Sequence, residues 1–110
     1  MTAQTRRQKI EAMLQDEPHD VFLRYSLAME MSVAGETEAA LEIFNTLCNE
    51  EPPHVPAFFR SAQILVDEQQ IDSARGFLRD GIDQARQQGD QHAAAEMSEL
   101  LADLGQGNTE

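Results

Sequence analysis

Three histidines (His19, His54 and His92), one cysteine (Cys48) and a large excess of carboxylates are the groups in this 110-residue chain that could do chemistry. A metal site needs several ligands converging on one point, and the histidines show no paired spacing and no companion cysteine. The serines Ser26, Ser32, Ser61, Ser73 and Ser98 stand in no motif that pairs a hydroxyl with a base. No Gly-rich phosphate loop follows a strand, because no stretch reads as a strand. Cys48 lies at helical spacing from Ala40, Phe44 and Leu47, which makes it a small buried apolar residue and not an exposed thiolate. Carboxylates spread over helix surfaces are ordinarily solvated faces, not acid and base pairs. The expectation is a chain with no catalytic residue, no metal ligand and no cofactor.

The charge balance narrows the partners. Twenty acidic residues against eight basic ones give a formal charge of -12. The excess is even: residues 1–54 hold ten acids and four bases, and residues 55–110 hold the same. Such a field repels phosphate backbones and anionic headgroups, so nucleic acid and membrane surfaces are excluded as expected partners, and a basic or neutral protein is favoured. The first residues, MTAQTRRQKIEAML, carry charges where a signal peptide needs an apolar core. No run of 18 apolar residues occurs, and a cytoplasmic location is expected.

The elements that must position any site are helices. Thr5 and Gln8 form a capping-box pattern opening a first helix with Ile10, Met13 and Leu14 on one face, ended by Pro18. Asp20 is an N-cap for a second helix carrying Leu23, Leu27, Ala28 and Met31, closed by Gly35. Thr37 then caps a third helix from Glu38 to about Glu50, and EEPPH breaks the chain. A fourth has Pro56 in its first turn and runs through Phe58, Ala62 and Leu65 to Glu68. A fifth, starting after Asp72, holds Ala74, Leu78 and Ile82. Gly89 ends it, and Asp90 caps a sixth with Ala94, Met97, Leu101 and Leu104. The final GQGNTE has nothing to bury, and residues 106–110 are expected to be a disordered tail.

One offset organises these helices. Thirty-four residues separate Ala28 from Ala62, Met31 from Leu65, Ala40 from Ala74, Phe44 from Leu78 and Cys48 from Ile82. The same step runs backward from Phe44 to Ile10, Leu47 to Met13 and Pro52 to Pro18. A hairpin of two amphipathic helices leaves a face uncovered, so repeated hairpins must stack, and alanines mark the closest helix crossings.

On Leu27, Ala28, Met31, Gly35, Ala40, Phe44 and Pro52, and again on Phe58, Ala62, Leu65, Ala74 and Leu78, the chain resembles the tetratricopeptide repeat family. Departures are Arg24 for a large aromatic, Ser61 for Leu, Gln69 for the turn Gly and Arg86 for the closing Pro. The resemblance implies an all-α fold of six antiparallel helices in a short right-handed superhelix. It would form one domain over residues 1–105: a half unit at 6–18, full units at about 21–54 and 55–88, and a closing helix at 90–104.

The second helix has more apolar surface than one core face needs: Phe22, Tyr25, Met29 and Val33 recur at spacings of three and four. In the family that surface lines a concave groove, beside which the fourth helix would add Phe59, Arg60, Gln63 and Val66. Apolar clusters with aromatics, Met and Arg suit a peptide-binding surface. The alternative is that Phe22, Tyr25 and Phe59 pack on one another. Tyr25, Met29, Phe59 and Gln63 do not match the family's carboxylate clamp, which disfavours binding of chaperone tails. The expected function is non-catalytic binding of a protein, as a peptide or helix with apolar anchors and basic flanks. The alternative is a homodimer formed through the terminal helices, using Ile10 and Met13.

Overall fold

The computed structural model describes residues 4–106, which form six helices and no strand: α1 (Arg6–Asp16), α2 (Val21–Val33), α3 (Thr37–Cys48), α4 (Val55–Asp67), α5 (Ile71–Gln87) and α6 (Gln91–Gln106). Each packs on the next, α4 also touches α6, and the stack measures 58 × 29 × 19 Å. Two of the expected residues past the closing helix, Gly105 and Gln106, are still helical; the rest of the expected disordered tail, 107–110, lies outside the described residues.

The local signals act through specific bonds. Thr5 Oγ1 accepts from the Gln8 amide at 3.1 Å while Gln8 Oε1 accepts from the Thr5 amide at 2.9 Å, closing the capping box. Asp20 Oδ1 accepts from the Leu23 amide at 2.8 Å, and Asp90 Oδ1 from the Ala93 amide at 3.1 Å. Thr37 does not cap α3. The capping position is Glu36, whose amide donates to Met31 O at 2.9 Å across the turn, so Thr37 is already the first helical residue.

That turn recurs one repeat later with different chemistry. Gly35 has φ +85°, and the residue 34 positions on, Gln69, has φ +62° although it carries a side chain. The Gln70 amide donates to Leu65 O at 2.8 Å, as the Glu36 amide does to Met31 O. The hydrogen-bonded turn is kept without its glycine, at the cost of the left-handed conformation in a residue with a Cβ.

Ala28, Ala40, Ala62 and Ala74 are each fully buried, as close crossings require, alongside Phe44, Leu47, Leu78 and Met97. Where the first unit has Leu47 the second has Gly81, and the reason is space. A Cβ there would stand 2.6 Å from both Met97 Sδ and Phe58 Cβ. Where the first unit has Leu27 the second has Ser61, fully buried with no partner for its hydroxyl. Arg24, in the place of a large aromatic, donates from Nη1 to Glu50 Oε2 at 2.9 Å and ties α2 to the segment after α3.

Candidate protein-binding groove

Helices α2, α4 and α6, alternate members of the stack, turn one set of faces to a common groove. Between α2 and α4 lies a cavity of about 420 Å³ lined by Met29, Ser32, Val33, Arg60, Gln63, Ile64, Val66 and Asp67, with Leu100 of α6 at its edge. Beside it, a cavity of about 290 Å³ is lined by Tyr25, Phe59, Arg60 and Gln63 together with Ala93, Glu96 and Met97 of α6. Arg60 and Gln63 belong to both and form the ridge between them. Arg60 is held in place: Nε donates to the Tyr25 hydroxyl at 3.3 Å and Nη1 to Gln63 Oε1 at 3.0 Å.

Seven of the eight residues singled out from the sequence therefore line this groove: Tyr25, Met29, Val33, Phe59, Arg60, Gln63 and Val66. Phe22 does not. It is 71% exposed and lines a separate groove of about 390 Å³ with Ile10 and Met13 of α1. The cause is its position in the first turn of α2: helical side chains lean toward the N-terminus, and Met29 lies about 10 Å along the axis from it. Tyr25 faces two ways. Its ring stands edge-on to Phe44 at 5.5 Å and to His54 at 5.0 Å, so it is anchored in the core while its hydroxyl meets Arg60. It does not pack on Phe22 as the alternative reading required.

The third wall escapes a reading of single helices. Ala93, Glu96 and Leu100 recur at spacings of three and four beside the α6 core stripe, and that pattern was the available signal. Charges in the groove are few: Arg60 at its centre, with Asp67 and Glu96 toward its two ends.

Of the remaining reactive groups, His19 and His92 are exposed, and burial governs Cys48 and His54. The Cys48 thiol is pushed up to about 12, first by desolvation and then by the nearby Asp80 carboxylate, so it stays protonated at neutral pH. Burial against Tyr25 drives the His54 imidazole below its ordinary range, favouring the neutral ring. Among the described residues no three His, Cys, Asp or Glu side chains are placed to hold a metal ion. A wider opening of about 670 Å³ between α3 and α5 is polar and acidic, with Glu50, Glu51, Asp80 and Asp83 on its walls. No described helix is long and apolar enough to cross a membrane.

No protein-family model and no curated protein matches the sequence. Solved structures do match. A tetratricopeptide repeat domain protein from Salinibacter ruber, solved by NMR, is 26% identical with a TM-score of 0.77, over 84% of this chain and 93% of that one. A crystal structure of a tetratricopeptide repeat domain protein from the same organism is 25% identical with a TM-score of 0.74, over 83% of this chain and 100% of that one. A protein from Bordetella parapertussis superposes with a TM-score of 0.81 over 96% of this chain and 92% of that one, at 23% identity.

Proposed function

We propose that this chain, a tetratricopeptide-repeat-like helical module, is a non-catalytic protein-binding unit that takes a peptide or helix in the groove of α2, α4 and α6. The observation that carries the reading is the pairing of two adjoining apolar cavities with a fixed cation between them. Met29, Val33 and Val66 supply one apolar pocket and Tyr25, Phe59 and Met97 the other, a spacing suited to two hydrophobic anchors of one segment. Arg60 needs little further ordering on binding, because Tyr25 and Gln63 already hold it. Asp67 and Glu96 near the ends, in a chain of charge -12, favour basic residues flanking the anchors. The same charge disfavours nucleic acid and anionic membranes.

The test uses groove residues that the fold does not need. Val33 is 85% exposed and Arg60 is exposed, so Val33→Asp combined with Arg60→Glu should leave the melting temperature nearly unchanged. Arg79→Glu, on an exposed position of α5, is the control. Proteins captured from the native organism by the unmodified chain and by the control should be lost by the double variant, and crosslinks should map to α2, α4 and α6. Equal capture by all three, or crosslinks confined to α3 and α5, would refute the groove.

A further inference from the structure

We infer that copies of this chain associate head to tail, the outward face of α6 in one copy seating in the groove between α1 and α2 of the next. The groove of about 390 Å³ holds Ile10, Met13, Phe22 and Leu23 with Arg6 and Lys9 at its rim, and Met13 and Phe22 are 49% and 71% exposed. The chain itself shows what such a surface receives. Thirty-four residues on from Arg6, Ile10, Met13 and Leu23 stand Ala40, Phe44, Leu47 and Ala57, all with zero exposure. There α2 lies across the surface, with Tyr25 edge-on to Phe44. The α1–α2 groove is thus shaped for a helix in the place that α2 takes on α3 and α4.

Alternation and charge name the helix. α1 carries the pattern of α3 and α5, whereas α6 follows α5 as α4 follows α3, so α6 of one copy placed before α1 of another completes a hairpin and continues the stack. The exposed face of α6 carries Ala95, Glu99, Ala102 and Asp103, and the helix has no Lys or Arg. Small residues let the axes approach, and the carboxylates meet Arg6 and Lys9. Two α1–α2 grooves facing each other would instead oppose the cations of both copies. The charge of -12 repels at long range, but at about 0.15 M salt the Debye length is about 8 Å, short against the 58 Å long axis, so the touching pairs decide. A contact of this kind uses a different patch on each partner and does not close on itself in a dimer. It is independent of the α2–α4–α6 groove.

Light scattering and sedimentation at about 0.15 M ionic strength, over a wide range of chain concentration, test it. The average mass should climb with concentration from that of the single 12.3 kDa chain. Lys9→Glu blocks only the head and Glu99→Lys only the tail; both positions are exposed, and circular dichroism should be unchanged. Each variant alone should stay at the single-chain mass, while their mixture should associate, because the intact tail of one meets the intact head of the other and the two altered ends are again opposite in charge. A single-chain mass for the unmodified protein at every concentration overturns the inference. So does association that survives Glu99→Lys, or a mixture that remains monomeric.

Discussion

The two ends of the stack have the same architecture and are held by different forces. At the first end α1 buries one residue, Ile10, and is fastened to its neighbours by charge. Arg6 Nε donates to Glu30 Oε2 at 2.9 Å, and Arg7 bridges Glu11 on its own helix and Glu36 in the α2–α3 turn. At the other end α5 buries Ala74, Arg75, Leu78, Gly81, Ile82 and Ala85, and α6 closes over them with Ala94 and Met97. Even a cation is buried there: Arg75 Nη1 donates to the exposed Asp72 Oδ1 at 2.7 Å and Nη2 to Leu104 O at 2.9 Å, tying α5 to the far end of α6. Exposed ion pairs contribute at most about 1 kcal/mol each, whereas one buried methionine is lost at about 2–5 kcal/mol. Stability should therefore rise along the chain, lowest at the end whose groove is proposed to receive a second copy.

The largest expected effect comes from the two methionines at corresponding edges. Met97→Ala empties a fully buried site and should cost about 2–5 kcal/mol, while Met13→Ala, at a half-exposed site, should cost less than about 1 kcal/mol. Denaturant unfolding of the two variants measures the contrast directly. Equal losses would mean that α1 is as firmly packed as α6.

A smaller effect, of opposite steric sign, sharpens the same contrast. Gly81→Ala puts a methyl group 2.6 Å from Phe58 Cβ, which cannot swing aside as a chain end can. Overpacking of about 1–3 kcal/mol should exceed the gain of about 1 kcal/mol in helix propensity, giving a net loss. Gly76, one turn earlier with nothing within 4 Å, should gain from the same change. A rise in melting temperature for both variants would show that Phe58 and Met97 yield freely.

These differences also mark what the sequence could say. The sequence marked all six helices through caps and apolar spacing, and its 34-residue offset picked out Ala28, Ala40, Ala62 and Ala74, which must be small wherever two axes cross. It located most of the groove through the spacing of Tyr25, Met29 and Val33. It could not place Phe22, since residues that share a face on a helical wheel can still be separated along the axis. Nor could it explain Ser61, Gly81 or Gln69. Gly81 and Gln69 depart from the repeat for a reason set by residues far along the chain or by the turn: Phe58 and Met97 fill the space at Gly81, and the left-handed turn at Gln69 persists on its backbone bonds alone. The unpaired hydroxyl of Ser61 has no structural explanation.

The smallest expected effect tests whether charge alone fastens α1. Hydrogen bonds from Arg7 hold the Glu36 carboxyl below its ordinary range, while the same bonds hold the Arg7 guanidinium above its own. A carboxyl with a depressed folded-state pKa binds fewer protons folded than unfolded. Its contribution is present above the unfolded value near 4.5 and is lost as pH falls through the lower, folded one. Glu36 is exposed and Arg7 only partly covered, so the loss should be local and not global. Hydrogen exchange at neutral pH should show α1 amides opening before those of α5. Lowering the pH below about 4, after correction for intrinsic exchange rates, should widen that gap, and Glu36→Gln should give the wider gap already at neutral pH. Raising salt to about 1 M, where the Debye length is about 3 Å, should do the same through screening. If α1 exchanges as slowly as α5 under all of these conditions, Ile10 and Leu14 hold it by packing and the contrast between the two ends disappears.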